Sequence, residues 1–491
     1  MRVILGWISW PGQPISPAQH GGETKSSSFP FGDQPQRIPT PVTFPRRRCH
    51  RPHPTPHPSN ALSNHSIAAP AMIRRRPSSP APATPLEDDD LLEEILLRLP
   101  PHPSSLPRAS AVCARWRRLL SDRRFLRRFG KHHRKPPLLG CFSGVGCRNT
   151  VFNPTLPAPD RIPAARFPAP LPPSSHEHWD LVGCRHGLAV ILNPQRKEVI
   201  LWHPLTGHQR RVPYPPWFTG NRTSHMHHAS VLCAAAAAGE EDGHMPGECH
   251  LHPFKLAFVS CKVLEPTELC ACLYMSESAA WGDMITTPTT SSIYNGMPAV
   301  MAGNALCWLL RGGNILEFDL KSERLGVIER PTDAHVDGGE TFWTWQLIRT
   351  EDGGLGLAVL SKPQLTIQLW ERKRNCAAGV VGWEPQRTIR LNKLFPSTVL
   401  GDVLQKFPRM KLACITEVVM VGYDEDANVI VLATYIGDFT LRLDQLRLTR
   451  FTRRYCRDFK TFYPYSSFYT TGDKMPLHYL YLVIFYFNLF W

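Results

Sequence analysis

Along the first 83 residues no spacing of apolar positions repeats. Pro, Ser, His and Arg dominate there, as in RRRCHRPHPTPHP (46–58). Such a composition cannot bury enough apolar surface to offset chain entropy, so residues 1–83 are expected to form a disordered Pro/Arg-rich tail. A helical period then begins abruptly. Thr84 offers an N-cap, Pro85 a first helical position and Glu87 the return arm of a capping box. Asp88, Asp89 and Asp90 add negative charge where the helix dipole favours it. Leu91, Leu92, Ile95, Leu96 and Leu99 follow at helical spacing, and Pro100-Pro101 end the run. A second series comprises Leu106, Ala109, Val112, Cys113, Trp116, Leu119 and Leu120, with a polar face that is almost entirely arginine. Pro107 is tolerable in a first turn, with Ser104 or Ser105 as cap. Ser121-Asp122 predicts a break and a new cap before a last short helix carrying Phe125, Leu126 and Phe129. Residues 84–130 therefore predict a small all-α segment of three to four short helices. So few helices cannot enclose a substantial core, which leaves an apolar face for a partner.

From Pro136 the pattern changes to short runs of Val, Leu, Phe and Trp, punctuated by Gly, Pro and Asn. The runs pair as 138–144 with 150–154, 181–192 with 198–204, 254–261 with 268–275, 299–310 with 314–331, 355–361 with 365–372, and 417–423 with 428–435 and 439–446. Several units share one form: a small-residue strand, a short turn, then a strand ending in an aromatic and a polar turn. Trp202-His203-Pro204, Phe318-Asp319-Leu320 and Trp370-Glu371 are the clearest cases, and Gly303 recurs as Gly356 after 53 residues. Repeats of four strands every 40 to 50 residues or so are the signature of a β-propeller. Residues 131–456 are expected to form an all-β, propeller-like domain, with a sandwich as the alternative, and 219–252 read as an insertion stretching one repeat. Residues 457–491 remain as an aromatic, apolar tail. Its run Leu477–Trp491 is 15 residues long, short of the roughly 20 that a spanning helix needs, so a membrane anchor is not expected.

The formal charge of +15 suggests nucleic acid at first sight. Its distribution changes that reading. Residues 1–85 carry +8, Glu87–Glu94 carry −6, residues 98–135 carry +11, and the remaining 356 residues only about +2. The basic character thus belongs to the tail and the helices, and the β region is nearly neutral. Arg46–Arg48 and Arg74–Arg76 could serve as import or RNA-contact patches or simply be solvated tail. Fourteen scattered cysteines without a C-x-x-C read as reduced thiols of a cytoplasmic or nuclear protein.

The stretch LEDDDLLEEILLRLPPHPSSLPRASAVCARWRRLLSDRRFLRRF (86–129) resembles the F-box of plant F-box proteins. The shared elements are the acidic start, Leu-Leu-x-x-Ile-Leu, Leu-Pro-Pro, Ala-x-Val-Cys, x-x-Trp-x-x-Leu and Ser-Asp followed by Phe. Two departures are the acidic start, one residue longer than usual, and Pro107 in place of a helix former. The β region is similar, more loosely, to the F-box-associated propeller-like domains of those families, best in residues 303–331. The resemblance implies a substrate-recognition subunit of a Skp–cullin–F-box ubiquitin ligase. The helices would dock on a Skp-type adaptor, and through it on a cullin, while the β domain holds a protein substrate. Pro85, Leu86, Leu91, Ile95, Leu96, Leu99, Pro100, Val112, Cys113, Trp116 and Leu119 are then the expected adaptor contacts, some of which could instead pack within the helices. Such a ligase works by proximity, so no catalytic residue, cofactor or small-molecule substrate is expected in this chain.

Other signals are weaker. His225, His227, His228, His244, Cys249, His250 and His252 crowd the expected insertion, but their spacing is not that of a zinc site, and no metal is expected. Trp217, Trp281, Trp343 and Trp345 fit either substrate-facing loops or packing between strands. The competing readings are a basic nucleic-acid-associated protein using the arginine face of 108–134, and a propeller enzyme. The aromatics of the first fall on apolar positions, where they cannot interleave with bases. The second needs converging carboxylates that no motif in the chain announces.

Overall fold

A computed structural model describes residues 88–144, 150–167, 178–218, 225–233, 252–262, 268–294, 296–334, 343–374, 381–395, 418–452 and 460–469. All belong to one compact unit, Ser79–Trp491. Four helices come first: α1 (Asp89–Leu97), α2 (Ser105–Ser110), α3 (Ala114–Leu120) and α4 (Arg123–His133). The start of α1 differs from the expectation. Its N-cap is Asp88, whose carboxylate accepts from the amides of Asp90 (2.8 Å) and Leu91 (3.2 Å). Thr84, Pro85, Leu86 and Glu87 lie outside the described residues, and the helix needs none of them because an aspartate caps at least as well as a threonine. The other breaks fall where the sequence places them. Asp122 caps α4 through the Arg124 amide at 2.8 Å, and Ser104 precedes α2 with Pro107 in its first turn.

The strands follow as β1 (Leu138–Ser143) and β2 (Val151–Pro154), then β3 (Asp180–Arg185), β4 (Leu188–Asn193), β5 (Glu198–Trp202) and β6 (Gln209–Pro213). Next come β7 (His225–Cys233), β8 (Phe254–Lys262), β9 (Glu268–Met275), β10 (Ala280–Trp281) and β11 (Ile285–Pro288). After these lie β12 (Val300–Ala302), β13 (Ala305–Leu309), β14 (Ile315–Asp319) and β15 (Arg324–Ile328), then β16 (Trp345–Arg349), β17 (Leu355–Ser361), β18 (Thr366–Arg374) and β19 (Val381–Arg390). The last are β20 (Val419–Asp424), β21 (Val429–Thr434), β22 (Gly437–Arg442), β23 (Arg447–Arg450) and β24 (Phe462–Ser466). They form six antiparallel sheets: β3–β6, β7–β11, β12–β15, β16–β19, β20–β23, and a closing sheet ordered β2-β1-β24. The innermost strands touch their counterparts in the next sheets, β24 against both β20 and β3, β12 against β16, and β16 against β20. This is a six-bladed β-propeller, closed by pairing the last described strand, β24, with the first.

Both faces of each blade are covered by neighbours, which explains why β4, β17, β20, β21 and β24 are buried along their whole length. Separate apolar clusters hold successive blades together. Leu232, Phe258-flanking Ala257 and Val259, Trp308 and Phe318 join the second blade to the third, and Val419, Val421, Cys141 and Phe462 join the fifth to the closing blade. Trp308, fully buried, donates its Nε1–H to His228 Nδ1 at 3.0 Å. Burial first of all pushes the His228 pKa down to about 4, so the imidazole is a neutral acceptor within the core.

The hairpins have a recurring chemistry. Asn193, Asp319 and Asp424 each open a four-residue loop between paired strands, with the side-chain Oδ1 accepting from loop amides. The fourth loop residue, Lys197, Glu323 or Asn428, has φ of 53°, 49° or 52°. The short polar side chain supplies the acceptor that the turn lacks.

Three expectations need correction, and the choice left open at Trp345 is decided. Residues 181–192 are two strands, because His186 and Gly187, at φ 52° and 75°, make a two-residue hairpin. The expected insertion 219–252 contains β7, whose buried positions include His227 and His228. The remainder, with His244, Cys249 and His250, lies outside the described residues. Trp345 begins β16 and is buried, so it packs rather than faces solvent. Phe462–Ser466, read as tail, supplies the inner strand of the closing blade.

Candidate functional site

The helical segment has an inside and an outside, and α1 is apolar on both. Leu92, Leu96 and Leu97 point inward with Leu106, Leu120, Phe125 and Phe129. This core is completed from the propeller: Phe468, two residues beyond β24, sets its ring edge-on to Phe129 at 6.2 Å. The Ser104 amide also donates to Asp160 Oδ1, beyond β2, at 3.0 Å. A helix apolar on one stripe only would have been satisfied by this packing. Leu91 and Ile95, four residues apart, lie on a second stripe about 100° round the helix and remain 50% and 41% exposed, with Val112 at 62% between α2 and α3. Three of the seven large hydrophobic side chains most exposed among the described residues therefore sit on this short segment.

The eleven residues expected from the sequence divide accordingly. Leu91, Ile95, Pro100, Val112 and Cys113 are exposed, and Leu99, Trp116 and Leu119 are half-buried against the helical core. Leu96 is 1% exposed and packs inside. Pro85 and Leu86 lie outside the described residues. Cys113 has a second role, since its Sγ caps α3 by accepting from the Trp116 amide at 3.5 Å. Three of the four acids of α1 are paired: Asp89 with Arg115 at 2.6 Å, and Glu93 and Glu94 with Arg128 at 2.8 and 2.5 Å. They pin α1 onto α3 and α4 and neutralise part of the arginine face, although exposed pairs of this kind contribute at most about 1 kcal/mol each.

The propeller carries a second feature that motif reading did not find. A cavity of about 30 Å³ opens where Cys184, Arg185, His186, Ala299, Asp424, Glu425 and Asp426 converge. Glu425 closes it by bridging three blades: Oε1 meets Arg185 Nη2 of the first at 2.7 Å, and Oε2 accepts from the Met301 amide of the third at 3.0 Å. Asp424 is held by the Ala427 amide (2.6 Å) and Ser466 Oγ (2.7 Å). Loss of hydration above all pushes the Asp426 carboxyl up to about 7, helped by Asp424 and Glu425 and opposed by Arg185 and Arg349. Asp424 shifts the same way, again chiefly through burial.

A carboxyl whose pKa is raised by folding binds its proton more tightly in the folded state. Stability therefore falls as pH rises from the unfolded carboxylate value, about 4, through about 7, and is flat above. The thermal midpoint is expected to be higher at about pH 6.5 than at about pH 8. Asp426→Asn should flatten that slope in a pair of melting curves, and an unchanged slope would show that Asp426 ionises normally.

Among the described residues no three His, Cys, Asp or Glu side chains are arranged to hold a metal ion. None of their helices is long and apolar enough to cross a membrane.

Comparison with known proteins identifies the helical segment. The family described as the F-box domain matches residues 88–128. No curated protein matches the chain. Among solved structures the chain resembles KlHsv2 with loop 6CD replaced by a Gly-Ser linker, at 9% identity and TM-score 0.27, over 51% of this chain and 69% of that one. It also resembles the Myceliophteria thermophila Cps50 (Swd1) β-propeller domain, at 13% and 0.27 over 54% and 69%. The Dos1 propeller matches at 9% and 0.30 over 63% and 69%. At these scores the likenesses carry no argument, and the propeller rests on its strand pairing.

Proposed function

We propose that this chain, an F-box domain joined to a six-bladed propeller, is the substrate-recognition subunit of a Skp–cullin–F-box ubiquitin ligase in the cytoplasm or nucleus. The observation that carries this reading is that Leu91 and Ile95 on α1 and Val112 after α2 stay exposed on an F-box whose inner core is already packed, with Phe468 completing it. This face takes the Skp-type adaptor, flanked by Pro100, Cys113, Leu99, Trp116 and Leu119. The adaptor brings the cullin and its ubiquitin-charged enzyme, and the propeller keeps a substrate lysine within reach at high effective concentration. The chain contributes position and no bond chemistry.

Phe468 gives this arrangement its stiffness. Because β24 leads directly to Phe468 in the helical core, substrate and adaptor are held by one packed body, without an intervening flexible linker. The test is co-expression of the full chain with a Skp-type adaptor, followed by size-exclusion chromatography and a ubiquitination assay with cullin, RING protein and charged E2. Co-elution with adaptor-dependent ubiquitin transfer to a captured protein is expected. A chain that elutes alone and instead retains RNA in a salt-dependent way would replace this reading with the nucleic-acid one.

A further inference from the structure

Two arginines of α4 sit where the helix itself gains nothing from them. Arg123 and Arg124 occupy the first turn, which holds no acid, and a cation there opposes the helix dipole. Nor do they pair across the fold. Among the described residues the side chains of Arg123, Arg124 and Arg127 make no hydrogen bond or ion pair, and all three are exposed. Asp122, the nearest acid in sequence, is committed to the cap. At about 100° per residue, Arg124, Arg127 and Lys131 share one face of α4, turned away from the buried Phe125 and Phe129. Arg128 lies on the flank toward α1, where Glu93 and Glu94 hold it. Glu93 in turn lies about 160° round α1 from Ile95. The basic stripe and the exposed Leu91 and Ile95 therefore look in different directions, and both can be covered at once.

We propose that this stripe is a second interaction surface, which takes the phosphate backbone of a nucleic-acid duplex while the adaptor occupies α1. Charge alone would also admit an acidic protein, a membrane or a single strand, and what surrounds the charge decides among them. A protein interface needs an apolar centre, and α4 exposes no large apolar side chain. A membrane-bound helix inserts its apolar face, and Phe125 and Phe129 are already taken up by the helical core. A single strand is held by exposed aromatic rings that stack on its bases, and Trp116, Phe125 and Phe129 are half-buried or buried. A duplex backbone asks only for cations at its own spacing. From Arg124 to Lys131 the stripe is about 10 Å long, the axial length of about three phosphates on one strand. Arginine suits them because its planar fork meets two phosphate oxygens at once. Such contacts read no base, so binding is independent of sequence.

The experiment is fluorescence anisotropy with a mixed-sequence DNA duplex, on the full chain alone and with a Skp-type adaptor, between about 50 and about 200 mM salt. The N-terminal basic runs are present in every preparation, so the readout is the difference made by one variant, Arg124→Gln, Arg127→Gln and Lys131→Gln combined. Glutamine is a good helix former on an exposed face, so this variant should keep the melting curve and adaptor capture. Its slope of log affinity against log salt should be shallower by about 2.7, that is about 0.9 for each of about three phosphates. Arg124→Lys with Arg127→Lys keeps the charge and should keep the slope. Absence of duplex binding, or a slope unchanged by the glutamines, would overturn the proposal. So would tighter binding of a single strand, equal capture of polyglutamate, or loss of adaptor capture in the glutamine variant, which would place the stripe inside the adaptor face. A wild-type chain that binds the duplex but captures no adaptor would overturn the receptor reading alone, so the two outcomes separate.

Discussion

Replacing Leu91 and Ile95 together by aspartate is expected to abolish capture of a Skp-type adaptor without unfolding the chain. The two side chains are half out of the protein already, so the folded state loses little when they change. In a complex each would surrender its remaining apolar exposure, about half of the roughly 1.5–3 kcal/mol that full burial of such a side chain is worth. Two carboxylates forced into the same contact add a desolvation penalty of several kcal/mol. The combined loss should exceed about 3 kcal/mol, or on the order of a hundredfold in affinity. Leu96 is the internal control. It lies one position from Ile95 but is 1% exposed, so Leu96→Ala should cost about 2–5 kcal/mol of helical stability and disturb the adaptor contact only by loosening the fold. A pull-down and a melting curve on both variants separate the roles. Full adaptor binding by the double aspartate variant would remove this face from the mechanism.

The second large effect is expected at the closure of the ring. Gly422 sits at a bulge in β20, where the register shifts between Met420 and Gly422. A β-carbon there would strike the backbone carbonyl of Phe462 in β24. The collision is with main chain in the innermost and most confined part of the propeller, so no rotamer relieves it. Gly422→Ala should push the last strand away from its neighbour blade and cost about 3 kcal/mol. Because β24 also positions Phe468, the helical core should loosen at the same time. A single shifted unfolding transition, followed by both circular dichroism and adaptor binding, is the expected readout. A variant with wild-type stability would mean that the two strands are not in contact as described.

Much of this was legible from local pattern. The F-box residues announce themselves because helical period, prolines and caps act within a few residues of one another. The strand-rich texture and its repeats are equally local, as are the Asx-opened loops at Asn193, Asp319 and Asp424. Legibility ended where an element's role depends on what lies across from it. His186-Gly187 was read through because the apolar run on either side outweighed a two-residue turn. HMHHASVLC was read as an insertion because its histidines hid an inner strand, although the buried partner of His228 is Trp308, 80 residues on. The first-turn cap passed from Thr84 to Asp88 because several polar residues in a row offered equivalent starts.

By itself, then, the sequence determined that a small helical segment precedes an all-β propeller-like domain, since both are written in short-range periodicity and turn chemistry. It could not say which of the two apolar stripes of α1 faces outward, because Leu91 and Leu92 are chemically identical and only the packing of Leu120, Phe125, Phe129 and Phe468 distinguishes them. Nor could it bring Arg185 to Glu425 or Phe462 to Gly422. Those meetings exist only once six blades close into a ring, which carries residues 40 to 240 positions apart to a common place.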